Sequence, residues 1–384
     1  MLSRRVLLAS AATLAAPAIA RAQAVPSFRL PILLPLTGFA ALEGKSQREG
    51  ALLAIRDVAA TVRFVPDVLD TTTAPEAAVT AWHRALRDGA RDGAAAPVAV
   101  LGPILGTQML ALLPEAASAK LPLLAVSGTA RLSELGSPWF FRFFPADGVV
   151  KVAHARYVAE VTKAKKPAVI FQTTAYGQSG REVLAKAFAE AKVTVALEEG
   201  VATSINDFTP IIAKAKASGA DALVLHLHSQ STALAIRAAR SVAPDLPVIA
   251  GSAMAQPATA ALFQPAELMG VCAETASFPA ASVDDAKMKA FVEAYRKEYS
   301  ADPDAFAVAE YDAVSMLAAA IAEIARTGAV TGESVRATLS TMHYRGLAAE
   351  YRSDGKGNMV HTAMIVCYDG KSHVPPIARR YSFP

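Results

Sequence analysis

The chain has 384 residues, 53% of them hydrophobic, 19% charged and 7% aromatic, enough for two lobes that each bury a core. The formal charge of +4 overstates its basicity, because residues 1–24 carry Arg4, Arg5 and Arg21 and no acid, so that losing them leaves +1. That excludes a partner recruited by positive charge, nucleic acid above all.

The N-terminus, MLSRRVLLASAATLAAPAIARAQA, reads as an export signal. Ser3-Arg4-Arg5-Val6-Leu7-Leu8 has the twin-arginine pattern; an ordinary secretory signal with a chance arginine pair is the alternative. The apolar stretch from Val6 to Ala20, interrupted by Pro17, is shorter than a membrane span needs. Ala22-Gln23-Ala24 fits a small-x-small cleavage site and predicts a mature, periplasmic chain starting at Val25; Ala18-Ile19-Ala20 is a second such pattern. No later apolar run is expected to reach membrane-spanning length.

From Phe28 short apolar runs alternate with helical stretches. A strand over 28–36 ends at Thr37-Gly38, and a helix over 46–59 follows. A strand over 62–69 ends at Asp70-Thr71-Thr72-Thr73, and Pro75 opens a helix to 88. The run 98–101 stops at Gly102-Pro103, Thr107 is placed to cap a helix to 119, and the run 121–126 stops at Ser127-Gly128-Thr129. Two short apolar strands with a helix between them make a parallel βαβ unit buried on both faces. Such sheets bind ligands outside the carboxyl ends of their strands. Here those ends are Gly106-Thr107 and Ser127-Gly128-Thr129, hydroxyls and glycines beside free N–H groups at helix starts, which suits a carboxylate. One such turn is an ordinary capped turn; two, one helix apart, mark a site.

WFFRFFP at 139–145 breaks the rhythm and marks the crossing out of the first lobe. A second run follows: helix 149–162, strand 168–172, helix 178–191, strand 193–197, helix 207–218, strand 221–227, helix 231–242 and strand 247–250. Helices over 284–299 and 306–326 return to the first lobe, and a turn at Asp354-Gly355-Lys356-Gly357 separates two strands before the C-terminal one. The pattern is α/β, with two doubly wound parallel-sheet lobes: 25–145 plus 275–340, and 146–274 plus 341–384. Cys272 and Cys367 sit in β-like runs; export permits a disulfide, but one pair so far apart is expected as buried free thiols.

These motifs resemble the type I periplasmic binding proteins of the branched-chain amino-acid family. The matching stretches are PLTG at 35–38 with Gly44 and Gly50, GPILGT at 102–107, SGT at 127–129, FRFFPAD at 141–147, Tyr176-Gly177 before a helix, and Glu310-Tyr311-Asp312-Ala313-Val314. The resemblance implies two lobes joined by three crossings that close like a flytrap on a small ligand and deliver it to the membrane permease of an ABC importer. It implies that Gly106 and Thr107 hold the ligand carboxylate, that Ser127, Gly128 and Thr129 form the second such turn, and that Tyr176 and His228 face them from the other lobe. A monomer without cofactor or metal is expected.

Two positions depart from that pattern. Where the family's amino-acid binders place an acid for the α-ammonium, the alignment falls on Ala253 in Gly251-Ser252-Ala253, whose Ser252 joins the candidate ligand residues. Just before Gly44, where an aromatic is common, stands Glu43. An ammonium buried without a carboxylate is costly. The balance favours a carboxylate lacking an α-amino group, aromatic or short aliphatic, unless Glu43 supplies the acid from the opposite lobe.

Rival functions fare worse. His226 and His228 share a strand face, but no third ligand stands at zinc-like spacing. GFAALEGKS at 38–46 approaches a Walker A loop, with five residues instead of four between its glycines and an acid where phosphates would lie. Gly177-Gln178-Ser179-Gly180 fails the G-x-S-x-G spacing of a hydrolase elbow. A periplasmic ligand sensor on the same fold is the remaining alternative to a transport protein.

Overall fold

The computed structural model describes residues 25–87, 89–281 and 285–383, and the export signal read in residues 1–24 lies outside them. In the first lobe, β1 (Ser27–Leu34), α1 (Ala41–Asp57), β2 (Arg63–Asp70), α2 (Pro75–Arg87), β3 (Val100–Leu101), α3 (Gly106–Ala119), β4 (Leu123–Ala125), α4 (Arg131–Glu134) and β5 (Phe140–Arg142) alternate along the chain. The strands form one parallel sheet in the order β2-β1-β3-β4-β5. Because side chains alternate across a strand, Leu30, Ile32 and Leu34 of β1 enter the core on one face, while Leu33 meets Trp82 of α2 and Met109 of α3 on the other.

The second lobe contains α5 (Asp147–Tyr157), β6 (Pro167–Gln172), α6 (Ala175–Glu190), β7 (Leu197–Val201), α7 (Thr209–Ala217), β8 (Ala222–His226), α8 (Ser229–Val242), β9 (Val248–Ala250), α9 (Pro257–Ala260) and β10 (Val271–Thr275). The chain then returns through α10 (Ala286–Tyr299), α11 (Ala305–Ala325) and α12 (Gly332–Thr341), forms the short hairpin β11 (Tyr344–Arg345) and β12 (Glu350–Tyr351), and ends in β13 (Thr362–Cys367) and β14 (Ile377–Ser382). The second sheet runs β14-β13-β10-β9-β8-β6-β7, parallel except where β13 pairs with β10 and β14. Crossings between the lobes lie at 143–146, after β10, and just before β13.

Glycines in the opening motif let backbones touch. A Cβ on Gly44 would stand 2.1 Å from the Pro35 carbonyl oxygen, and one on Gly50 2.1 Å from that of Ala307, so α1 packs directly on the β1 turn and on α11.

Several expectations need correction. Helix α1 starts at Ala41, not 46, so Glu43 lies in its first turn. Strand β7 begins at 197, where the 193–197 strand was expected to end. Thr107 does not cap α3: the helix begins at Gly106, and Leu105 precedes it with no side-chain cap. The stretch 341–360 packs with the first lobe, not the second, because Tyr351, Met359 and Val360 fill the core beneath α11 and α12. Helix α11 has the length and apolar composition of a membrane span, but it is the buried core helix of that lobe. Cys272 and Cys367 are disulfide-bonded, as direct partners in the β10–β13 register.

A cleft closed from both lobes

Between the lobes lies a cavity of about 30 Å³. Its apolar wall is Ile104, Val126, Phe144, Val150, Leu227, Ala253 and Phe306, and its polar wall Glu43, Asp147, Tyr176, His228, Ser252, Glu274 and the Gly128 backbone. Phe144 and Phe306 stack at 5.0 Å, and with Val126, Ala276 and Ala305 they form the apolar floor where the crossings meet. The volume holds a water or two, not an amino acid or a benzoate. The lobes must therefore part to admit such a ligand.

The second turn is fixed by a buried cation. Arg142 on β5 donates to the carbonyls of Gly128 and Thr129 at 2.9 and 2.8 Å. Gly128 O also accepts the Asp147 N–H at 2.7 Å, which joins the turn to the start of α5. Burial lowers the Arg142 pKa to about 10, still well above neutrality, so the guanidinium stays charged. Thr129 is fully buried against Gly106: a Cβ there would lie 2.1 Å from Thr129 Oγ1. The Ser127 and Thr129 hydroxyls are both buried without a protein partner.

Polar contacts bridge the lobes. Ser229, at the start of α8, donates its hydroxyl to Glu43 Oε1. Ser179 accepts the Ala130 N–H at 2.8 Å and donates to Asp147 Oδ2 at 2.8 Å. Gln256 donates to Asp304 Oδ2 at 2.8 Å, and Asp304 caps α11. The His228 ring lies 4.9 Å from Phe39 of the first lobe and 5.3 Å from Tyr176 of its own.

Burial dominates the acid–base state of the wall. It raises Glu43, and it pushes Asp147 up to about 7 against the pull of the Lys151 ammonium and the Ser179 hydrogen bond. It drives His228 down to about 4 and His226 well below its usual value, so both rings are neutral at neutral pH. Burial works the same way on Glu274, but Lys151 and His154 outweigh it and hold that carboxyl below its usual value. Glu274 thus sits in an internal ion pair with Lys151, with His154 Nδ1 2.9 Å from its other oxygen.

Of the residues expected at the site, Glu43, Gly128, Tyr176, His228 and Ser252 line the cavity. Ser127, Thr129 and Gly106 stand behind that wall, and half-buried Thr107 lies outside it. His226 is packed under Tyr176, ring to ring at 3.9 Å, with Nε2 3.0 Å from the Tyr176 carbonyl. Asp147, Lys151, Glu274, Phe144 and Phe306 were not singled out from the sequence. Asp147 does end the FRFFPAD stretch, and Glu274 is an acid inside a fully buried strand.

Two doubly wound lobes that close on a cavity at the carboxyl ends of their strands define a bilobal ligand clamp of the type I arrangement. The chain belongs to the periplasmic binding protein family, whose model matches residues 27–372. A leucine-, isoleucine-, valine-, threonine- and alanine-binding protein of Pseudomonas aeruginosa is 22% identical over 344 residues, 88% of each chain. The fold matches a branched-chain amino-acid transporter substrate-binding protein of Streptococcus pneumoniae in complex with isoleucine (TM-score 0.78, 21% identity, 93% of this chain and 99% of that one). It also matches a transporter solute-binding protein of R. palustris in complex with benzoate (TM-score 0.82, 17% identity, 93% and 96%).

Proposed function

We propose that this protein is the periplasmic substrate-binding component of an ABC importer and not an enzyme. It captures a small carboxylate-bearing ligand, an amino acid or an aromatic or aliphatic acid, and hands it to the membrane permease. The observation that carries this is the cavity: both lobes line it, hydrogen bonds cross it, and it is too small to fill without opening. Relatives named for amino acids and for benzoate support the ligand range. The arginine pair and the Ala22-Gln23-Ala24 pattern support export by the twin-arginine route with cleavage before Val25. The working unit is taken as a monomer, with lobes of 25–145 plus 285–360 and 146–281 plus 361–383. The ligand carboxylate is assigned to the turn at Ser127-Gly128-Thr129, whose Gly128 lines the cavity and which Gly106 backs, with Tyr176, His228 and Ser252 opposite.

A thermal-shift screen of amino acids and small carboxylates against the mature chain tests this. A stabilising compound should be recovered unchanged, and scattering should show the protein compacting as it binds. Turnover of that compound, or an unchanged radius of gyration, would overturn the proposal.

A further inference from the structure

Two carboxyl oxygens in the cleft are buried without a partner: Glu43 Oε2 on α1 of the first lobe, and Asp147 Oδ1 at the start of α5 in the second. Their residues are 3% and 0% exposed, and both line the same cavity. Each spends its other oxygen on a contact that fixes it, Glu43 on Ser229 and Asp147 on Ser179. The nearby cations are committed elsewhere, Lys151 to Glu274 and Arg142 to the carbonyls of Gly128 and Thr129. Ala253, on the same wall, brings only a methyl group. Buried acceptors without donors are rare because they are costly.

We propose that Glu43 and Asp147 form a single acceptor seat, split between the lobes, for an ammonium group on the ligand. The amine then selects the ligand and ties the closed state together. This rests on reading the cleft as the ligand site, and it reverses the balance drawn from Ala253 alone. An ammonium offers three donors to these bare oxygens, whereas an acid without an amine brings only further acceptors to them.

The proton inventory agrees. Ser229 Oγ contacts both Glu43 Oε1 and Gln256 Oε1, and Gln256 turns its amide nitrogen to Asp304, so its oxygen faces Ser229. One hydroxyl proton cannot serve two acceptors at once, and burial raises the Glu43 carboxyl, so both favour its protonated form in the closed cleft. The charged or titratable groups around it are Asp304 at the start of α11, Tyr176 on α6 and neutral His228 at the head of α8. Around Asp147 they are Lys151, Glu274 and Arg142. An ammonium arriving in this seat displaces protons into solvent.

The test is calorimetry on the mature chain with the twenty amino acids and, for each apolar one, its deaminated counterpart, plus benzoate. Runs in buffers of different ionisation enthalpy give the protons exchanged. An amino acid should bind with proton release, and its deaminated counterpart at least tenfold more weakly. Glu43→Gln should weaken the amino acid about tenfold to a hundredfold and reduce the proton release. Asp147→Asn is the second variant should Glu43→Gln not fold. Benzoate or a deaminated acid binding as well as any amino acid, or an amino acid indifferent to both variants, would overturn the seat. If neither class binds, the cleft reading itself fails, which is a different outcome from acids binding without amines.

Discussion

Replacing both Cys272 and Cys367 by serine probes how the ends of the chain are held. The disulfide closes a loop with a sequence separation of 95, which contains α10, α11 and α12 and so reaches across both lobes. The chain-entropy relation for a loop of that length gives about 4.7 kcal/mol, and losing a native bridge typically costs about 2–5 kcal/mol. The folded lobe has little to lose locally. The cysteines are direct partners across β10 and β13, and the Tyr157 hydroxyl, 3.1 Å from Cys367 Sγ, can bond to a serine there. We expect a loss of about 3–4 kcal/mol in urea unfolding and a midpoint lower by roughly 4–5 °C. Ligand affinity should hold, because Glu274 is anchored by Lys151 and His154 and not by the bridge. The assay is equilibrium unfolding of wild type and variant, with thiol counting on the native protein. A loss below about 1 kcal/mol, or two reactive thiols in the untreated wild type, would refute the reasoning.

Glu310 on α11 accepts from Gln47 at 3.1 Å with one oxygen and leaves the other bare, and burial pushes its pKa up to about 8. Native protein therefore keeps a proton that the unfolded chain releases near pH 4.3, and stability from this group falls by about 1.4 kcal/mol per pH unit between there and pH 8. Glu310→Gln should gain on wild type steadily from pH 5 to 8 in urea titrations; a pH-independent difference between the two would reject this. Gly180→Ala places a methyl 2.0 Å from His226 Nε2, under the Tyr176 ring. Overpacking should cost about 1–3 kcal/mol and weaken ligand binding as Tyr176 shifts, and a variant with wild-type stability and affinity would show that the contact relaxes freely.

Much of the fold was legible because parallel strands buried on both faces leave continuous apolar runs that glycine and hydroxyl turns cut off. Such runs stand in β1, β3, β4 and β8. What failed had no local signal. Helix α1 is preceded by Ala40, which makes no side-chain cap, so nothing marked its start ahead of Glu43. The allegiance of 341–360 depends on a few buried anchors, Tyr351, Met359 and Val360, set in a turn-rich stretch without periodicity. The disulfide is a property of the β10–β13 register, and spacing along the chain does not carry register.

The site divides along the same line. Of its turns, the glycine- and hydroxyl-rich end of β4 pointed to the Gly128 that lines the cavity, while Gly106 and Thr107 do not line it. Its charges were not readable, because each depends on a partner far away in sequence. Yet Glu274 in VCAET held a usable clue: an acid within a fully buried strand must be paired or neutral. Its cation had to come from an element packed on that strand. Helix α5 carries Asp147, Lys151 and His154 at spacings of four and three, which puts them on one face. Once Lys151 and His154 are assigned to Glu274, Asp147 is left without a cation of its own, and Glu43 stands across the cleft in the same position. On the proposed seat, what decides the ligand class is the count of acids left over after internal pairing, and not the identity of the one residue at 253.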